Sequence, residues 1–187
     1  GGASAATRIR RLDESAEIIV FEKTGYISYA NCGLPYYIGD VITDSGDLTL
    51  QTPESFWKRF RISVKVNHEV TNIDVIQKTV TVKNLLTGTE WEEPYDKLLL
   101  SPGAKPVRPN LPGIDSEKIF SLRTVEDTFR IHDYLEKTKA QSAVIVGGGY
   151  IGIEVAENLK EKGLNVTIVQ RPNQLMNTLD YDMASFV

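Results

Sequence analysis

The stretch of about 30 residues from Ser142 to Arg171 constrains the fold more than any other part of this sequence. It contains an apolar strand, "AVIV", a helical segment, "YIGIEVAENLKEKG", and a second strand that ends in "VTIVQR". Gly147, Gly149 and Gly152 form a G-x-G-x-x-G pattern between the first strand and the helix. These glycines permit a tight turn, close approach to a pyrophosphate, and packing of helix on strand, and the helix N-terminus favours the phosphates. A plain glycine turn is the alternative, but the flanking elements favour a dinucleotide site.

The end of the second strand bears on coenzyme choice. An NAD site usually has an acidic residue there to bind the ribose 2′-hydroxyl, whereas this chain has Gln170 followed by Arg171. A guanidinium pairs well with a 2′-phosphate, so the sequence favours NADP at least as much as NAD. The alternative is that Arg171 is a solvated turn residue.

The chain opens with part of a second, similar pattern. Gly1 and Gly2 begin a helix of small residues, and the strand "EIIVFEK" places Glu22 about 20 residues later, the spacing of a carboxylate that binds a ribose. We expect a strand directly before Gly1 in a longer parent protein, so that this chain is cut at both ends. Two dinucleotide units indicate two nucleotides, most simply a flavin that exchanges electrons with a nicotinamide.

The remaining pattern predicts an α/β protein with two domains. The first dozen residues are typical of a helix, "TPESFWKRF" of a short helix capped by Thr52, and Thr124 to about Lys137 of a longer helix. Strands are predicted in "ISVKV", "EVTNIDVI", "TVTVKNL", "TEWEE" and "YDKLLL", and three of them suggest an antiparallel meander. The loop "RPNLPGID" indicates a boundary near residue 112, between domains 1–112 and 113–187. We therefore expect a Rossmann-like three-layer fold with a small antiparallel β-meander, truncated at both ends.

Composition argues against several partners. The formal net charge of −4 disfavours nucleic acid and anionic membranes, and no apolar run reaches the roughly 20 residues of a membrane-spanning helix. The single cysteine has no partner for an internal disulfide, so a cytoplasmic location is the default. His68 and His132 lack an acidic or cysteine partner at metal-ligand spacing, so we predict no metal site.

Four segments together carry a resemblance to a known family. "FEKTGYISYANCGLPYYIGDV", "YDKLLLSPGAKP", "FSLRTVEDT" and "VIVGGGYIGIEVAENL" resemble the pyridine nucleotide-disulfide oxidoreductase family, in its single-cysteine branch. The coenzyme A-disulfide and NADH-dependent persulfide reductases of that branch are the most similar in the cysteine segment. The resemblance implies a homodimer that uses FAD and NAD(P)H to reduce coenzyme A disulfide or persulfide, with an active site completed by tyrosines of the partner subunit.

Cys32 is the redox centre that this resemblance implies. Members with two cysteines use C-x-x-x-x-C spacing, but Tyr37 occupies the second position here. Cys32 must then store its oxidised state as a mixed disulfide with an external thiol or as a sulfenic acid. Both routes need a thiolate, which the N–H groups of a helix beginning in "GLPYYIG" would favour. The alternative is an inert, buried cysteine.

The resemblance also assigns binding residues. For coenzyme A they are Ser4, Arg8, Arg11, Ser28 and Asn31. For FAD they are Gly1, Gly2, Glu22, Lys23, Val70, Ser101, Gly103 and Arg123. For NAD(P), the glycine motif, the helix that it opens and the end of the second strand give Gly147, Gly149, Tyr150, Ile151, Gly152, Glu154, Gln170 and Arg171.

Some of these assignments have simpler alternatives. The three-residue spacing of Arg8 and Arg11 puts both on one helical face, which suits the phosphates of an ADP group, although a solvated basic face is possible. The "SPGA" turn after Leu100 could equally be only the end of a strand. A lysine that contacts substrate in relatives falls near Phe60 here, which puts that contact in doubt.

The sequence is also compatible with two other functions. One is an NADH oxidase or peroxidase in which Cys32 cycles through a sulfenic acid. The other is an inactive nucleotide-binding fragment, because the chain alone lacks part of each predicted domain.

Overall fold

A computed structural model describes all residues from 1 to 187. The helices are α1 (Gly2–Leu12), α2 (Leu34–Ile38), α3 (Pro53–Phe60), α4 (Val125–Thr138), α5 (Tyr150–Glu161) and α6 (Tyr181–Ala184). The strands are β1 (Ile19–Glu22), β2 (Ser28–Tyr29), β3 (Thr49–Gln51), β4 (Ser63–Val66), β5 (His68–Asp74), β6 (Thr79–Asn84), β7 (Glu90–Pro94), β8 (Ser142–Val146) and β9 (Asn165–Val169). None of the helices has the length and apolar character needed to cross a membrane.

The chain forms two compact units, of which the first comprises residues 1–29 and 49–104. Here β1 pairs in parallel with β4, and β2 pairs antiparallel with β3. Buried Ala6 of α1, Phe56 of α3 and Ile62 form the core against the β1–β4 pair. As the sequence predicts, Thr52 caps α3. The structure adds a capping box, in which Thr52 Oγ1 accepts from Ser55 N (3.2 Å) and Ser55 Oγ accepts from Thr52 N (2.9 Å).

The predicted antiparallel meander is present in the first unit. Its strand order is β5–β6–β7, and Val80 and Val82 of the central strand are buried while intervening residues are less so. Gly88 makes the turn into β7 with φ of 76°, a backbone conformation that glycine adopts without strain.

The strand predicted in "YDKLLL" is absent. Residues 97–100 form no ladder, and Leu98, Leu99 and Leu100 are exposed. A strand is held by hydrogen bonds to a neighbouring strand, and none in the first unit pairs with this segment. An apolar run by itself therefore gave the wrong secondary structure here.

The second unit comprises residues 30–48 and 105–187. Parallel strands β8 and β9 pair from Ser142 opposite Asn165, and α5 packs against them. Ile38, Leu159 and Leu164 form its buried core, which α4 also lines. The predicted helix from Thr124 to about Lys137 is present as α4, with Thr124 as its N-cap. The predicted strand–glycine turn–helix–strand unit is present as β8–α5–β9. The domain limits of 1–112 and 113–187 stay a prediction.

Candidate nucleotide-binding and redox sites

The G-x-G-x-x-G turn has the geometry that its glycines predict. Gly147 has φ of 108°, a conformation that favours glycine. A Cβ on Gly152 would lie only 2.0 Å from the carbonyl oxygen of Gly147, so the helix and the turn meet backbone to backbone. Gly149 caps α5 without a side-chain hydrogen bond and faces open space, and the next two residues, Tyr150 and Ile151, are exposed. The cradle fits a pyrophosphate at the start of α5.

Gln170 supports this turn from the end of β9. Its Oε1 accepts a hydrogen bond from Gly148 N at 3.0 Å, and its Nε2 donates to the carbonyl of Gln174 at 3.3 Å. Gly148 is not one of the three motif glycines, yet a Cβ there would lie 2.3 Å from Leu175 Cδ2. Both polar ends of the Gln170 side chain are thus engaged within the protein. Arg171, the next residue, is exposed at this strand end.

Glu154 lies half-buried in α5, two residues beyond the third glycine of the motif. Its backbone carbonyl accepts a hydrogen bond from the side-chain nitrogen of Asn158 at 2.8 Å. This bond uses the backbone of Glu154 and leaves the role of its carboxylate a prediction.

In the first unit, the N-terminal glycines face the "SPGA" turn. Gly1 precedes α1 without a side-chain cap, and a Cβ on Gly2 would lie 3.2 Å from the Cβ of Ser101. Gly103 of the same turn has φ of 71°. The structure thus brings Gly1, Gly2 and Ser101 together at an uncapped helix start.

The acidic residue that ends β1 holds the turn that follows. Glu22 Oε1 accepts hydrogen bonds from Thr24 N at 2.7 Å and Thr24 Oγ1 at 2.8 Å. Lys23 forms an exposed ion pair of 2.6 Å with Glu69, the residue before Val70 of β5. The structure therefore places Glu22 and Lys23 at the end of β1, and the Lys23–Glu69 ion pair brings that end next to the segment of β5 that contains Val70.

The residues on α1 that the resemblance assigns to coenzyme A are exposed, whereas their neighbour Arg10 is partly buried. Ser4, Arg8 and Arg11 lie open to solvent. Arg10 instead donates to the carbonyls of Phe60 at 2.9 Å and Glu14 at 2.6 Å, which ties α1 to the end of α3. Nothing in "TRIRRL" distinguishes Arg10 from its neighbours, because the difference depends on what each helix face meets. Ser28, in β2 of the same unit, is half-buried opposite Gln51.

Cys32 lies exposed in a single 3₁₀ turn, Asn31–Gly33, directly before α2. Asn31 Oδ1 lies 3.5 Å from the Nη1 of Arg123, so two residues that the resemblance assigned to different ligands are neighbours. Gly33 is buried, and a Cβ there would lie 3.1 Å from Ile42 and Leu48 side-chain atoms. The helix predicted after the cysteine is present but has five residues. An exposed thiol in this turn is accessible to a sulfur atom of an external molecule.

The side chain of Tyr37, at the position of a second cysteine, packs on α4. Its ring centroid lies 5.3 Å from that of Phe129 and 5.2 Å from that of His132. At the position where two-cysteine members of the family have their second cysteine, this chain therefore has an aromatic side chain that packs in the protein.

His132 has acidic neighbours, contrary to the spacing argument above. Glu136 follows one helical turn later, and ligand atoms of Asp40, His132 and Glu136 lie within 4.8 Å of one another. The ammonium group of Lys162 lies among them, hydrogen-bonded to Asp40 and, at 3.0 Å, to Glu136. Since a cation of the protein already bonds both carboxylates, this cluster is an ion-pair network.

The ion pairs of this network shift the pKa values of its members. Hydrogen bonds from Lys139 and Lys162 lower the pKa of Glu136 from 4.5 to about 2. Burial alone would raise the pKa of Asp40, but hydrogen bonds from Lys162 and His132 outweigh it and lower that pKa. Burial likewise would lower the pKa of Lys162, and its two carboxylate partners raise it instead.

The parallel β8–α5–β9 unit, with its close glycine turn between β8 and α5, defines a Rossmann-type dinucleotide-binding fold. The chain belongs to the pyridine nucleotide-disulphide oxidoreductase family, whose model matches residues 1–187. The family predicted from the sequence is therefore confirmed.

Three relatives illustrate the similarity. A coenzyme A disulfide reductase of Staphylococcus epidermidis is 48% identical over 183 residues, which cover 98% of this chain and 41% of the relative. Reduced CoADR-RHD of Bacillus anthracis superimposes with a TM-score of 0.96 at 50% identity, covering 100% of this chain and 34% of that chain. An NAD-dependent persulfide reductase from A. fulgidus gives a TM-score of 0.91 at 35% identity, covering 98% of this chain and 34% of that chain.

These matches confirm the predicted Rossmann-like α/β fold class. The chain spans 41% of the length of the coenzyme A disulfide reductase of S. epidermidis that it matches.

Proposed function

We propose that the protein containing this chain is an FAD-dependent NAD(P)H oxidoreductase that reduces coenzyme A disulfide or a persulfide through Cys32. The observation that carries the proposal is the exposed lone thiol of Cys32, with Tyr37 packed on α4 where a second cysteine would stand. A thiol without an internal partner exchanges with an external sulfur. The similarity to a coenzyme A disulfide reductase supports coenzyme A as the carrier of that sulfur.

We assign the two nucleotides to the two predicted domains. NAD(P)H would be held within residues 113–187, by the G-x-G-x-x-G turn and by Tyr150, Ile151, Glu154, Gln170 and Arg171. FAD would be held mainly within residues 1–112, by Gly1, Gly2, Glu22, Lys23, Val70, Ser101 and Gly103, with Arg123 contributing from beyond that boundary. The uncapped starts of α1 and α5 support both assignments, because their free N–H groups suit pyrophosphate. When bound, these cofactors supply the two electrons for disulfide reduction.

Cys32 performs the exchange chemistry. Its thiolate attacks one sulfur of coenzyme A disulfide, the sulfur–sulfur bond breaks, and one coenzyme A leaves as a thiolate. The mixed disulfide on Cys32 is then reduced by two electrons, which releases the second coenzyme A and restores the thiolate. One NAD(P)H and one proton are consumed for each two coenzyme A thiols formed.

Exposed polar groups would hold the substrate. Arg8 and Arg11 lie on one face of α1 and are free to form charge-assisted hydrogen bonds with phosphates of coenzyme A. Ser4, Ser28 and Asn31 would contribute weaker polar contacts. We also propose a homodimer in the cytoplasm, which light scattering of the purified protein and cell fractionation would test.

The test uses the protein expressed from its complete gene. We expect NAD(P)H oxidation with coenzyme A disulfide or polysulfide, and loss of that activity in Cys32→Ser with FAD still bound. The conservative control Ser28→Ala should keep the thiol chemistry and weaken only substrate binding. Rapid turnover of hydrogen peroxide without disulfide reduction would contradict the proposal and favour an oxidase or peroxidase.

A further inference from the structure

Within the second unit, the segment that carries Cys32 is held by the C-terminal end of α2. Leu34 and Ile38 of this short helix are buried, and Ile38 joins the core formed by Leu159 and Leu164. The helix therefore packs its apolar side on α5, the helix that begins at the G-x-G-x-x-G turn. Cys32 lies before the first residue of α2, so its position depends on how α2 is held.

The contact between α2 and α5 allows no side chain at Gly39. A Cβ there would lie 2.5 Å from Asn158 Oδ1 and 2.7 Å from Asn158 Cβ. Asn158 is 1% exposed and its Oδ1 has no hydrogen-bond partner, although its Nδ2 donates to the carbonyl of Glu154. A close approach of this kind fixes the separation of the two helices and leaves their direction to other contacts.

Asp40 supplies those other contacts. It has φ of 63°, which turns its carboxylate back toward α4 and α5. Its Oδ1 lies 2.7 Å from the Nε2 of His132 of α4, and its Oδ2 accepts from Lys162, which caps the end of α5. The side chain of Lys162 is 14% exposed, so water competes weakly for its ammonium group. One carboxylate thus bonds two helices at once.

We propose that Asp40 is a positioning residue for Cys32, and that its bonds to Lys162 and His132 hold the cysteine segment in register with the nucleotide-binding helix α5. This proposal rests on the proposed function, since it assigns Asp40 to the same thiol chemistry. Asp40 contacts neither Cys32 nor any reacting atom, and it acts through α2.

The experiment compares Asp40→Asn and Lys162→Met with the control Lys139→Met in the complete protein. Asn keeps the shape of Asp and tolerates positive φ, and Lys139 bonds Glu136 in the same cluster without touching Asp40. We expect both test variants to lower kcat for disulfide reduction by about tenfold, since a misplacement of about 1 Å costs up to ~10²-fold. Reduction of ferricyanide, which takes electrons from the flavin and bypasses Cys32, should stay unchanged, and so should both activities of Lys139→Met.

Hydrogen exchange gives a second readout that needs no substrate. The amides of Gly39 and Val41 donate to Pro35 and Tyr36, and they should exchange roughly two- to fivefold faster in the test variants. Wild-type disulfide turnover in both test variants, or equal losses of disulfide and ferricyanide reduction, would overturn the proposal. A wild-type protein that reduces ferricyanide but no disulfide would instead refute the proposed function, while exchange would still test the role of Asp40.

Discussion

Replacing Gly152 by alanine tests the backbone contact at the glycine turn. The new Cβ would lie 2.0 Å from Gly147 O and 3.1 Å from Gly147 C, whereas carbon atoms in contact stay about 3.5 Å apart. Because the obstructing atoms belong to the backbone, no rotamer change relieves the clash, and α5 must move away from the turn. Overpacking of this kind costs about 1–3 kcal/mol. For a chain of this size that lowers the midpoint of thermal unfolding by about 2–12 °C.

Gly149→Ala is the matched control, three residues earlier in the same motif. Gly149 has φ of −87° and nothing within 4 Å of an added Cβ, so the fold should accept alanine. The added methyl group would instead stand where a pyrophosphate approaches the backbone, and should weaken coenzyme binding alone.

The two variants are compared by circular dichroism melting and by titration with NADPH. We expect Gly152→Ala to lose both thermal stability and coenzyme affinity, and Gly149→Ala to lose only affinity. Melting of Gly152→Ala at the wild-type temperature would show that the close contact with Gly147 O does not restrain α5.

Two further predictions concern charge. Arg171→Ala should weaken NADPH binding by about tenfold, the loss of one hydrogen bond to a charged group, and leave NADH binding nearly unchanged; an unaltered NADPH-to-NADH ratio of KM values would count against a phosphate contact. Glu136 and Asp40 have lowered pKa values, so their stabilising effect is complete above about pH 4.5 and declines as pH falls toward 2. The free energy of unfolding measured in urea should therefore drop over this range, and Glu136→Gln should make the drop smaller, whereas an identical pH profile would exclude its ion pairs as the cause.

Local features account for most of what the sequence predicted correctly. The Thr52 cap, the meander and the β8–α5–β9 unit each depend on residues close together in the chain. The strand expected at residues 97–100 failed because pairing depends on a neighbour that local pattern does not reveal.

The unpredicted parts of the candidate sites depend on residues far apart in sequence. Lys162 and Asp40 are separated by 122 positions, and no periodicity connects them. Arg10 differs from Arg8 and Arg11 only by what its helix face meets, which is the end of α3. Even the position of Cys32 within the second unit follows from the packing of Ile38 rather than from its neighbours in the chain.

The two bonds of Gln170 set a limit on redesign of the coenzyme site. A glutamate at this position would keep an acceptor for Gly148 N, but it would turn an oxygen toward the carbonyl of Gln174 in place of a donor. Two acceptors would then face each other at the strand end, and the loop after Arg171 would have to rearrange. A carboxylate placed at residue 170 to bind a ribose 2′-hydroxyl would therefore require compensating changes in residues 171–176, where the carbonyl of Gln174 lies.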